Sequence, residues 1–107
     1  MKELKITIRE QECNKVGYEF GNNIPILMTR ALYNELSEFE TMTPHQIIGL
    51  SLLQLFKERK NQNIDYIQVF DVIENENTLT FWAISNQEIN EPFSQESNVT
   101  FLLPSDY

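Results

Sequence analysis

Cysteine occurs once in the chain, at Cys13, so no intrachain disulfide and no cysteine-rich metal site can form, and the chain suits a reducing compartment. Cys13 reads as an ordinary thiol near a loop rather than a nucleophile. Glycine occurs only three times, with no glycine-rich loop to cradle a phosphate. Histidine also occurs once, so a Ser-His-Asp arrangement would have to use His45. No nucleophile elbow surrounds any serine, and Ser51 falls on the wrong part of the same helix; His45 reads as a solvent-facing or capping residue. No metal-ligand spacing links His45 with Cys13, and Asp65 and Asp71 are too far apart to share an ion unaided. Long apolar runs are missing too: nothing approaches the ~20 residues of a membrane span. Met1 to Arg9 alternates charged and apolar residues instead of opening like a signal sequence. These absences predict a cytoplasmic protein with no membrane partner, no cofactor, no metal and no catalytic residues, hence not an enzyme.

The most uneven absence is that of positive charge. All eight Lys and Arg lie in residues 1–60, where eight acids balance them, whereas residues 61–107 hold the other eight acids and no cation, so this half carries the whole net charge of −8. Phosphate binding needs Lys and Arg, which argues against direct nucleic-acid contact through residues 61–107 and permits attraction to a basic protein surface. Acidity that only keeps a small protein soluble is the alternative.

What is present is first a pair of β-branched and aromatic runs, Ile64–Ile73 and Thr78–Ile84, separated by the polar tetrapeptide Glu74-Asn75-Glu76-Asn77. They predict a β-hairpin around which the rest is built. Its strands are apolar on both faces, Ile67, Val69 and Ile73 on one side and Tyr66, Phe70 and Val72 on the other, so helices must cover at least one. Before the hairpin, Lys2–Arg9 alternates as a strand with one wet face, and Val16–Phe20 reads as a short second strand ended by Gly21-Asn22-Asn23.

Pro25 suits the first turn of a helix capped by Asn23 or Ile24, with Met28, Leu32, Leu36 and Phe39 forming its apolar stripe up to Thr41. Thr43, Pro44 and Gln46 form a capping-box pattern that opens a second helix running to about Lys60. Its apolar arc (Ile48, Leu50, Leu52, Leu53, Leu55, Phe56) leaves a narrow polar strip of Ser51, Gln54, Lys57 and Glu58, predicting a helix buried between the first helix and the sheet, with Leu52 or Leu53 in the core. Gly49 predicts close approach to a neighbouring backbone, and Lys57, Arg59 and Lys60 suit the negative end of the helix dipole. Ser85–Asn98 reads as a polar connection with Phe93 tucked against the body, and Val99–Leu103 as a last strand. The order ββααβββ predicts one α+β domain over residues 1–107, a mostly antiparallel sheet of about five strands with two helices packed on one face.

Tyr66, Phe70, Phe81 and Trp82 could stack bases only in a basic groove, and their surroundings carry no positive charge; core or protein-interface positions are favoured. The run Ile64-Asp65-Tyr66-Ile67-Gln68-Val69-Phe70-Asp71-Val72 resembles the DYLQVFEL signature of a family of short domain-of-unknown-function proteins from low-GC Gram-positive bacteria and their mobile elements. Ile24-Pro25 is similar to that family's helix start, and Phe101-Leu102-Leu103-Pro104-Ser105-Asp106-Tyr107 to its MLLxEEY ending. The resemblance implies an accessory protein of a phage, plasmid or genomic island and carries over no functional residues.

Together these readings predict an acidic accessory protein that binds a partner with a basic surface, for example as a nucleic-acid mimic inhibiting a nuclease, restriction or CRISPR effector. The alternative is a structural or accessory subunit in element replication or gene regulation, with the aromatic sheet face or first helix as a subunit interface and a homodimer compatible with it. The acids expected to share the partner surface are Asp65 and Asp71 on the first hairpin strand, Glu74 and Glu76 at its tip, and Glu88 and Glu91 just after it.

Overall fold

The structure, a computed structural model, describes residues 3–11, 17–18, 20, 24–60, 62–86 and 98–106. The expected hairpin forms its centre. Strands β3 (Ile67–Glu74) and β4 (Asn77–Asn86) pair antiparallel from Ile67 opposite Ile84 to Glu74 opposite Asn77. Asn75 makes the turn with φ of 55°, in the left-handed region that asparagine tolerates better than most residues. Strand β1 (Leu4–Ile8) adds antiparallel to β3, and β5 (Asn98–Leu102) adds antiparallel to β4. Outside β5 lies β2 (Ile26–Met28), parallel to it, so the five-stranded sheet runs β1-β3-β4-β5-β2. The fold is therefore α+β as expected, with one parallel pair at an edge.

The second strand is not where periodicity put it. Gly17, Tyr18 and Phe20 form no ladder, Val16 and Glu19 lie outside the described residues, and the strand is instead the segment read as the start of a helix. Pro25 immediately precedes β2, a position that needs no ladder N–H from it, and its carbonyl accepts from Val99 N–H at 2.9 Å. The first helix, α1 (Arg30–Leu36), starts only after Thr29, whose Oγ1 accepts from Leu32 N–H at 3.2 Å as the cap. The caps assigned to Asn23 or Ile24 thus give way to Thr29; Ile24 is buried and Asn23 lies outside the described residues.

Helix α2 (Pro44–Glu58) begins as expected. Thr43 Oγ1 accepts from Gln46 N–H at 3.2 Å while Gln46 Oε1 accepts from Thr43 N–H at 2.9 Å, and Pro44 needs no acceptor in the first turn. Thr43→Ala is expected to lower stability by about 1 kcal/mol in a urea melt, and an unchanged midpoint would show the cap to be dispensable.

The burial of α2 differs from the wheel-based expectation. Ile47, Ile48, Ser51 and Leu55 face the core, and the supposedly polar Ser51 is buried with its hydroxyl donating to Ile47 O at 2.7 Å. Leu52 is half-buried against the core, but Leu53 is 67% exposed, with Leu50 and Phe56 exposed beside it. Gly49 belongs to this outer face and has open space around it, so no close backbone approach explains it. The two helices lie side by side: α1 packs on β4 and β5, and α2 packs on β1 and α1.

The core they close over is aromatic at its centre. Phe70, Phe81 and Phe101, on three adjacent strands, are fully buried, with ring centroids 5.3 Å apart for Phe70 and Phe81 and 6.2 Å for each to Phe101. Leu32, Leu36, Ile47 and Leu55 complete it from the helices. Phe70 and Phe81 are thus core residues, unavailable to stack bases.

Candidate functional site

The acids singled out by charge do not gather on one open surface. Glu74, at the end of β3, is only 1% exposed and points under the hairpin, where its two carboxylate oxygens accept from Glu40 N–H at 3.0 Å and Thr41 N–H at 2.8 Å. It fastens the hairpin tip to the connection between α1 and α2. Asp65 precedes β3 rather than lying on it, and is buried with Oδ1 accepting from Tyr66 N–H at 2.8 Å.

Asp65 also belongs to a polar knot where β1, α2 and β3 meet. Gln68, on the core face of β3, donates through Nε2 to Gln11 Oε1 at 2.6 Å and to Asp65 O at 3.1 Å. Gln11 Oε1 also accepts from Asp65 N–H at 2.9 Å, and Gln11 Nε2 donates to Asn63 O at 2.7 Å. Arg59 reaches from the end of α2 to donate to Arg9 O at 2.8 Å. Its role is therefore to tie elements together as well as to oppose a helix dipole. These bonds satisfy groups that would be costly to bury unpaired, so the knot is structural.

Asp71 is on the opposite face of the sheet, and it is compensated. Arg9 donates to it in a fork, Nε to Oδ2 at 2.9 Å and Nη2 to Oδ1 at 3.0 Å, and Thr80 donates its hydroxyl to Oδ1. The Arg9 hydrogen bond is the main cause holding the Asp71 carboxyl below the usual aspartate range; partial burial opposes it, while Thr80 and the Arg9 charge reinforce it. A depressed folded pKa means that the stabilisation is complete above the ordinary aspartate value and lost as pH falls through the lower folded value. Arg9→Gln is therefore expected to destabilise the protein near neutral pH, with the difference from the parent fading below about pH 4 in melts recorded across that range. A difference that stayed constant with pH would assign the loss to packing.

Among the described acids of residues 61–107, Asp106 is engaged as well, accepting from Thr29 Oγ1 at 2.8 Å and Leu103 N–H at 3.1 Å. Glu76, in the turn beside Asn75, is exposed and has no hydrogen-bond or salt-bridge partner among the described residues. Glu88 and Glu91 lie outside the described residues. Sequence reasoning thus brought together Asp65, Asp71, Glu74 and Glu76, while the fold distributes them over a buried knot, the sheet face away from the core, a buried clamp and a turn.

A different place combines accessibility with directional groups. β2 is an edge strand, and no described strand pairs with its outer side. Thr29 N–H donates to Phe101 O at 3.0 Å and Pro25 O accepts from Val99 N–H, so Pro25, Leu27 and Thr29 present their backbone to β5. By the alternation of a parallel ladder, Ile26 and Met28 turn their N–H and C=O groups outward. Ile26 is 44% and Leu27 50% exposed. Beside this edge, β2, α1 and α2 enclose an open cavity of about 570 Å³ lined by Ile26, Leu27, Met28, Arg30, Tyr33, His45 and Ile48. The Tyr33 and His45 rings meet edge to face with centroids 6.0 Å apart. The signal in the sequence was the uncharged triplet Ile26-Leu27-Met28 after Pro25, masked by its fit to a helix start.

Among the described residues no cluster of three or more His, Cys, Asp or Glu could hold a metal ion, and no helix is long and apolar enough to cross a membrane. No family model, curated protein or solved structure matches the chain.

Proposed function

We propose that this protein works by binding another protein rather than by catalysing a reaction, and that the partner docks along the outer edge of β2. The observation carrying this reading is the edge itself: three consecutive uncharged, apolar residues, of which Ile26 and Met28 turn their backbone donors and acceptors outward, next to an open cavity. Edge strands are ordinarily guarded by charge, bulges, covering segments or sheer shortness. β1, the opposite edge, carries the exposed Lys5 in mid-strand; among the described residues β2 has only its shortness, which limits pairing to a few residues. The outer stripe of α2 is also apolar, but a helix offers no free mid-element backbone groups to align a partner.

An acidic face aimed at a basic nucleic-acid-handling enzyme has less support than the charge pattern promised. Asp65, Asp71, Glu74 and Asp106 are each engaged in the fold's own hydrogen bonds, which leaves Glu76 among the described acids of that half. An accessory protein, from a mobile element or elsewhere, would then have an apolar edge as its working surface.

A photo-crosslinking residue in place of Leu27 tests this directly. In lysate of the host it is expected to give one discrete covalent adduct with another protein, suppressed by Ile26→Lys, while the same residue at Lys5 on the opposite edge gives none. Equal adducts from both edges, or none from Leu27, would overturn the reading.

A further inference from the structure

We infer that the occupant of the β2 edge is an extended, acidic segment of the partner, added to the sheet as a sixth strand whose carboxylates meet Arg30 and His45. This rests on the docking reading above and specifies its chemistry. Backbone pairing follows from the outward N–H and C=O groups of Ile26 and Met28, the mode by which sheets accept peptides from other proteins.

Side-chain chemistry follows from the cavity. Ile26 and Met28 share the helix-covered face with their neighbours Val99 and Phe101, so alternate side chains of an added strand would point to the same side, over the cavity. Among the described residues its lining holds two basic groups, Arg30 and His45, and no acid, in a chain whose net charge is −8. Arg30 is exposed and makes no salt bridge or hydrogen bond among the described residues. Asp106, which bonds to the adjacent Thr29, does not line the cavity and makes no salt bridge with Arg30.

An Arg fork without a carboxylate partner among the described residues suits bidentate pairing with Asp or Glu, and His45 adds a second donor. Ile48 and Met28 supply apolar walls for the side chains between. The recognised pattern is therefore an acidic residue and an apolar residue two positions apart, on one face of an extended strand.

A random octapeptide display library, selected on the intact chain, is the probe. Enriched peptides are expected to carry Asp or Glu spaced by two from an apolar residue, and their binding should shift the amide resonances of Ile26 and Met28. Methylating alternate backbone nitrogens of such a peptide should abolish binding in one of the two registers only. Arg30→Glu should weaken binding at least about tenfold, while Arg30→Lys keeps most of it. An acid at the first position of α1 is favourable to the helix, and an unchanged melting temperature would confirm that the variant folds.

Peptides that shift Ile26 and Met28 without acidic enrichment, or that ignore Arg30→Glu, would overturn the acidic chemistry and leave the docking edge standing. Peptides that shift only α2, or no binding at all, would overturn both. Concentration-dependent self-association that shifts the same two amides would make a second copy of the chain the occupant and overturn the acidic-segment proposal.

Discussion

Glu74→Ala is expected to lower the stability of the protein by about 2–5 kcal/mol, although its position at a hairpin end suggests an exposed and replaceable acid. The carboxylate is buried and receives two backbone N–H groups, from Glu40 and Thr41. Removing it leaves both part-buried bonds without their acceptor, at a cost of about 1–3 kcal/mol for each donor that water does not reach. Bonds to a charged acceptor are at the stronger end of their range. Glu74→Gln should fall between, because one oxygen still accepts while the amide NH₂ confronts the second donor. Urea melts at neutral pH would measure the series, and an alanine variant with the parent's midpoint would show that the loop at residues 40–41 finds other partners. Glu74→Lys is expected to fail as a probe of partner binding, since it destroys the clamp before it alters any surface.

Phe81→Ala is the second large effect, about 3–5 kcal/mol. Phe81 is fully buried on the central strand β4, with its ring stacked on Phe70 at an interplanar angle of 13° and against Phe101 on the other side. Its loss removes contacts to both neighbouring strands and leaves a cavity that aromatic neighbours held by the sheet cannot easily refill. Against a typical domain stability of about 5–15 kcal/mol, such a loss should be plain in a guanidinium melt. Leu53→Ala serves as the control, with a change within about 0.5 kcal/mol, since that side chain stands on the exposed side of α2. Equal effects at the two positions would mean that the outer face of α2 is covered in solution.

The contrast between Phe81 and Leu53 shows what the sequence could and could not express. Local patterns were readable: the Thr43-Pro44-Gln46 box acts within one turn, and the alternation of β3 and β4 is resolved by a turn only two residues long. A helical wheel was not sufficient for α2, because its apolar residues cover more than half the circumference and nothing local says which part faces inward. The sheet chose the side with Ile47, Ser51 and Leu55, and sealed the Ser51 hydroxyl by an intrahelical bond.

β2 was misread for a related reason. Proline followed by apolar residues satisfies both a helix start and a strand start, and the deciding partner, β5, lies at the other end of the chain. The same holds for the acids. Their number and distribution are visible in the sequence, but whether a carboxylate is spent inside the fold depends on donors such as Glu40 N–H and Arg9, distant in sequence from Glu74 and Asp71.

The parallel pairing of β2 with β5 also orders events in time. Joining Ile26 to Val99 closes about two thirds of the chain into a loop, whereas β3 and β4 need close only a short turn. Loop-closure entropy and the slowness of non-local pairing place the hairpin early in folding and the β2 edge late. A segment that assembles last and is held by few bonds is also among the first to open from the native state. Any chain that pairs with this edge would then draw its binding energy partly from completing the sheet, so that occupancy and the final folding step become one linked equilibrium.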